Sequence, residues 1–249
     1  MNWRIILFGF FLFLASSIMG QSEVGNGATN LVYRTDQAFG GGFYAKGYFF
    51  DFHYGKRKTA TLNQKYYAGF SNLKHQKETK SFNPIFEDAK GYYFGKLNAF
   101  WQLKLGFGYQ KTLTPKLQKN GVAISISGVA GASVGMLKPV YIEVIEQVII
   151  DSTVQGVLKT EKYNAQGNEI IYGRASWLKG VDEIKFRPGL FLKGELEFEY
   201  SGYKESIQSV VTGLEIQWYP SEIEIMAIAE NSRIFARLFI GFKFGSRYL

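Results

Sequence analysis

An all-β fold is predicted by three observations on this chain of 249 residues. Apolar and polar side chains alternate with a period of two in many segments, as in strands with two unlike faces. Short polar turns alternate with longer polar connections. One face of most segments is nearly free of charge, while the other mixes acids and bases. Together these predict an antiparallel up-and-down transmembrane β-barrel of about eight strands, or ten, with its apolar face outward.

The elements follow in order. The opening MNWRIILFGFFLFLASSIMGQ places Arg4 before an uncharged run from Ile5 to Leu14, then small residues up to Gly20 and Gln21. That is the layout of a secretory signal peptide. The run is short for a membrane-spanning helix, which needs about 20 residues. Residues 1–20 are therefore expected to be a cleaved signal peptide, and 21–249 an outer-membrane barrel domain. Cleavage leaves 28 basic and 21 acidic side chains, a net charge of +7. The absence of cysteine excludes disulfides and thiolate chemistry.

Strands are expected near 28–37, 41–55, 61–73, 91–112, 121–137, 184–200, 207–219 and 232–246. The first hairpin is expected around Gly40–Gly42. In the second strand Tyr48, Phe50, Phe52 and Tyr54 oppose Phe49, Asp51 and His53. Lys46, on the face of Tyr44 and Tyr48, is a misfit that calls for a place above the membrane or a bulge. In the fourth strand Leu103, Leu105 and Phe107 oppose Lys96, Gln102 and Lys104; the small inward face of 121–137 leaves room for Phe94, Phe100 or a folded-in loop. Short turns are expected at 56–60, 114–120 and 201–207, and long loops at 74–90, 138–183 and 220–231. The longest contains YIEVIEQVII, which reads as a projecting hairpin or as two further strands. Its Gly167 is expected outside the cell, opposite Lys204.

The segment RPGLFLKGELEFEY shows the two faces most plainly. Leu190 through Phe198 supply a lipid-facing side, and Glu195, Glu197 and Glu199 point inward. With Asp51 and Glu215 they would share the lumen with Lys96, Lys104, Arg187, Lys193, Arg237 and Lys243. Isolated charges there are costly unless paired, so the mixture predicts a neutralising network rather than a catalytic carboxylate set. A soluble lipocalin-like barrel would turn its apolar face inward. Aromatics near strand ends (Tyr92, Tyr93, Trp218, Tyr219, Phe242, Phe244) favour the membrane version, as interfacial girdles.

The stretches YYFGKLN, GMLKPVYIEV, RPGLFLKG and the terminal FKFGSRYL resemble the uncharacterised outer-membrane β-barrel proteins of Bacteroidota-type bacteria. The resemblance covers most of the mature chain and implies a bacterial outer-membrane location but no particular activity. The last residue is Leu249 rather than Phe, so Tyr248 or Phe244 would serve as the assembly signal.

Candidate chemistry is sparse. His53, Asp51 and either Ser125 or Ser127 could be drawn together as a Ser-His-Asp set, but no His-x-Ser element occurs and a structural histidine is the plainer reading. Lys74, Lys77 and Lys80, beside His75 in LKHQKETK, are candidates for lipopolysaccharide phosphates as point charges. GVAGASVG lacks the Lys-Ser/Thr of a phosphate loop, and the glutamate row lacks the loop ligands calcium needs. No cofactor or metal is expected, and export argues against nucleic acid. The function expected is a non-enzymatic outer-membrane barrel, structural or binding ligand or lipopolysaccharide through its outer loops. A small outer-membrane enzyme acting on lipid or lipopolysaccharide is the alternative, and a soluble periplasmic carrier the third.

Overall fold

The computed structural model describes residues 33–116, 121–150, 153–164, 170–203 and 205–249. The signal-peptide segment, the start of the first expected strand, Gly167 and Lys204 lie outside them. Eight strands close a barrel: β1 (Thr35–Tyr44), β2 (Gly47–Arg57), β3 (Leu62–Leu73), β6 (Asn98–Thr114), β7 (Ala123–Pro139), β11 (Lys185–Glu199), β12 (Ser206–Ile223) and β13 (Ser232–Tyr248). Each strand is hydrogen-bonded to the next in this series, and β1 pairs with β13. Every one of these pairings is antiparallel. Closure removes the unpaired strand edges that an open sheet would expose.

The remaining strands belong to the connections at one end, called here the loop end. The β3–β6 connection carries a ribbon of β4 (Lys80–Ser81) and β5 (Tyr92–Tyr93). The β7–β11 connection carries β8 (Tyr141–Ile150), β9 (Thr153–Lys162) and β10 (Ile170–Arg174), a sheet in the order β10-β8-β9. YIEVIEQVII is therefore the first arm of a projecting hairpin, and the barrel has eight strands rather than ten.

Two expectations need correction. The glycine run Gly40–Gly42 lies inside β1 instead of forming the first hairpin, which falls at Ala45 and Lys46. Glycine is needed there because the walls approach closely: a Cβ on Gly42 would stand 2.2 Å from the Ile240 carbonyl oxygen. The turn itself is supplied by Gly47, whose φ of 134° suits glycine. The hairpin also restarts the alternation, so Tyr44 points into the lumen while Tyr48 points outward, and Lys46 sits in the turn at the loop end. The fourth barrel strand begins at Asn98, later than expected, since Tyr92 and Tyr93 belong to β5. Lys96 precedes it, bridged to Met226 of the β12–β13 connection.

Candidate functional site

The wall has two chemically opposed faces. On β6, Leu103, Leu105, Phe107 and Tyr109 are exposed outward, and Gln102, Lys104 and Gln110 are buried inward. The contrast is extreme between neighbours: Leu105 is 69% exposed and Lys104 1%. The same split holds for Leu190, Leu192 and Leu196 against Lys193, Glu195 and Glu197 on β11, and for Leu238, Ile240 and Phe242 against Phe239 and Lys243 on β13.

Inside, the charges form a ladder. Nearest the loop end, Glu215 is gripped by Lys104 at 2.8 Å, Arg237 at 2.9 Å and the Tyr44 hydroxyl at 2.9 Å. The Gln217 amide also donates to it, and exchanges hydrogen bonds with Gln102. One step down, Lys193 pairs with Asp51 at 2.7 Å and Glu195 at 3.3 Å. Its ammonium also stands over the rings of Phe239, Tyr67 and Phe49, at 4.6, 4.9 and 5.0 Å from their centroids, an aromatic cage that favours a cation. Lys243 then bridges Glu195 at 2.5 Å and Glu197 at 2.9 Å. Lys65 at 3.4 Å, Gln110 at 3.1 Å and Ser209 at 2.7 Å complete the shell of Glu197. Towards the turn end, Arg247 holds Glu199 at 2.5 Å. Such pairs offset the loss of hydration only when well made and supplemented by further hydrogen bonds, which is the arrangement at Glu215 and Glu197; Asp51 Oδ1, Glu195 Oε2 and Arg237 Nε have no hydrogen-bond partner among the described residues.

An apolar layer closes the loop end above the ladder. Leu73, Phe100, Leu137, Tyr219 and Ile223 from the wall pack with Ile225 and Met226, which the β12–β13 connection folds inward. Phe100 fills the space left by the small face of β7, while Phe94 is exposed. The projecting sheet has its own small core of Ile142, Val144 and Tyr163 against Leu97 and Ala227.

Most of the residues proposed for the lumen meet in this ladder: Asp51, Lys104, Lys193, Glu195, Glu197, Glu199, Glu215, Arg237 and Lys243. Two do not. Lys96 pairs with Glu78 in the loop region instead, and burial holds its ammonium below the ordinary lysine range although Glu78 opposes this. Arg187 is on β11 at the level of Gly135, and its buried Nε has no hydrogen-bond partner among the described residues. Lys65, Tyr44 and Arg247 join the ladder beyond that expectation, as do Gln102 and Gln217, which alternation puts on the inward faces of β6 and β12. Lys65 was legible in principle, since it shares a period of two with Tyr67, Gly69 and Ser71.

His53 Nε2 lies 3.2 Å from Asp51 Oδ1, and the ring stands edge-on to Tyr67. Among the described residues Ser125 bonds to Thr112 instead. Lys74, Lys77 and Lys80 are all exposed at the loop end, and Lys80 stands over the Phe82 ring. On the projecting sheet, the Tyr141 hydroxyl donates to Glu183, which also pairs with Lys162 at 3.1 Å. The hydrogen bond from Tyr141, then Lys162, holds the Glu183 carboxyl below its ordinary range.

These features define a class: closed eight-stranded antiparallel barrels with an apolar exterior and a filled, charged lumen. No family model matches the chain, and no curated protein matches it. Among solved structures it is similar to the attachment invasion locus protein Ail of Yersinia pestis in complex with the heparin analogue sucrose octasulfate, at 9% identity and a TM-score of 0.36, covering 86% of this chain and 95% of that one. It is also similar to Neisserial surface protein A, at 6% identity and a TM-score of 0.37, covering 86% of this chain and 94% of that one. Likeness this distant adds nothing to the hydrogen-bond registers, which establish the fold by themselves.

Proposed function

We propose that the chain is exported by its first 20 residues and resides in the bacterial outer membrane as a sealed, non-enzymatic barrel of the Bacteroidota-type group. The observation that carries this reading is the outward face: a closed wall presenting large, exposed leucines, isoleucines and phenylalanines on strand after strand. Soluble monomers rarely expose contiguous apolar patches beyond a few hundred Å², whereas an acyl-chain environment requires them. The ladder and the apolar layer support a barrel that does not conduct, and the sealed burial of Asp51 and His53 supports a structural rather than a catalytic histidine. The loop end then faces the exterior, and Lys74, Lys77 and Lys80 are offered there to lipopolysaccharide phosphates.

The test is membrane behaviour. The mature protein should resist carbonate extraction, change its gel mobility on boiling, and show no porin-like conductance in planar bilayers. Recovery in the soluble periplasmic fraction would overturn the membrane reading, and large steady conductance would overturn the sealed lumen.

A further inference from the structure

Lys138 is a cation near the wall whose surroundings the ladder does not explain. It lies next to the end of β7, and its neighbour Leu137 points into the apolar layer, so Lys138 points outward, above the belt that includes Val134. An outward lysine at a rim would ordinarily be solvated. Lys138 is only 5% exposed. The cover is a tight turn after β10, in which Lys179 and Val181 donate backbone hydrogen bonds to the carbonyls of Ser176 and Leu178. Gly180 takes the positive φ of 76° this turn needs, close against Tyr141 and Pro139. The turn lays the Trp177 ring 5.4 Å from the Lys138 ammonium, and Trp177 packs edge-on to Trp101 of β6 at 5.8 Å.

The charge balance there is one-sided. Arg174, at the end of β10, adds a second positive charge: it pairs with Ile142 and precedes Ala175, whose amide donates to the carbonyl of Tyr141, three residues on from Lys138. Among the described residues neither cation forms an ion pair, and the nearby Glu183 is already engaged by Tyr141 and Lys162. The side chain is largely covered while its ammonium has no ion-pair partner among the described residues, and nothing in the ladder reaches it through the wall. Beside it, Trp177, Leu178 and Val181 stay exposed, the amphipathic mixture that suits a membrane–water interface.

We infer that Lys138 and Arg174, roofed by Trp177, bind the phosphate of an anionic glycolipid in the surrounding leaflet. The inference rests on the outer-membrane reading and names a lipid site on the barrel's outer rim, apart from Lys74, Lys77 and Lys80. The ammonium and guanidinium would hold the phosphate, while Trp177 and Leu178 would lie against the first carbons of the acyl chains.

The experiment uses the full mature chain folded in detergent micelles and fluorescently labelled diphosphoryl lipid A. Binding should saturate. Lys138→Met should weaken it roughly tenfold, as expected for loss of one charge-assisted contact. Arg174→Gln should weaken it similarly, Lys138→Arg should restore most of it, and Lys56→Gln at the turn end should leave it unchanged. Lys138→Met and Arg174→Gln both binding like wild type, with the heat-dependent gel shift intact, would overturn the site alone. Should Lys138→Met fail to fold, Arg174→Gln decides. Displacement of the labelled lipid by inorganic phosphate at equal concentration would overturn the assignment to a lipid. A wild-type chain that is extracted by carbonate overturns the membrane reading, and the site falls with it.

Discussion

Two ion pairs of almost equal length sit at opposite ends of the range of environments in this protein. Lys104 and Glu215 meet at 2.8 Å inside the barrel with no exposed side-chain surface. Lys159 and Glu161 meet at 2.7 Å on the projecting sheet, where the lysine is half exposed. Distance alone would rank them as equals. In water the outer pair gains little, because solvent screens it and two mobile side chains must be held. The inner pair cannot be removed half at a time, since its surviving partner would remain buried and uncompensated. Environment, rather than contact length, decides which pairs the fold depends on.

The largest expected effect comes from removing a ladder carboxylate that serves two lysines. Glu197→Ala leaves Lys243 and Lys65 short of an anion and should cost about 3–5 kcal/mol, read as a lower urea midpoint for the protein refolded in micelles. A midpoint equal to wild type would mean that the ladder is far wetter than its burial implies. Next comes moving a charge one residue along the same strand. Leu196 faces outward beside Glu197, and Leu196→Arg should cost about 2–4 kcal/mol if it lies near the bilayer midplane, seen as a reduced inserted fraction. Tolerance of this arginine would erase the difference between the two faces.

The smallest effect belongs to the projecting sheet. Glu183 has a depressed carboxyl pKa in the folded state, so its contribution is present above the ordinary carboxylate value and is lost as pH falls through the depressed one. Acidification should therefore raise amide exchange around residues 180–183, through loss of the Tyr141 and Lys162 contacts, without altering the heat-dependent gel shift. Glu183→Gln should abolish the pH dependence. Loss of the whole barrel in the same pH window would show that the sheet and the barrel unfold as one.

How far the sequence discloses this arrangement depends on what each signal measures. Faces on β6, β7, β11, β12 and β13 are legible because strand geometry forces side chains to alternate, and a wall with one apolar and one polar face cannot violate the pattern. The first hairpin is not legible because glycine serves both tight turns and close wall contacts, and a run of three reads the same either way. Lys65 was passed over because KYYAGFSN is a weak pattern, with Tyr66 and Tyr67 apolar on both faces. The cover over Lys138 was beyond periodicity altogether: Trp177 and Lys138 are brought together by a turn whose position follows from the folding of a loop.

The ladder also bears on how the barrel comes to close. Asp51 of β2 reaches Lys193 of β11, Lys104 of β6 reaches Glu215 of β12, and Lys65 of β3 reaches Glu197 of β11. Within each couple the two strands are not sheet neighbours, so the contacts span the interior. A sheet that has paired β2 through β13 but has not yet joined β1 to β13 cannot satisfy them, and holds its charges facing a half-open hollow. Joining the last seam and completing these three cross-lumen pairs are therefore geometrically coupled, while contacts such as Arg237 with Glu215, on neighbouring strands, need no closure.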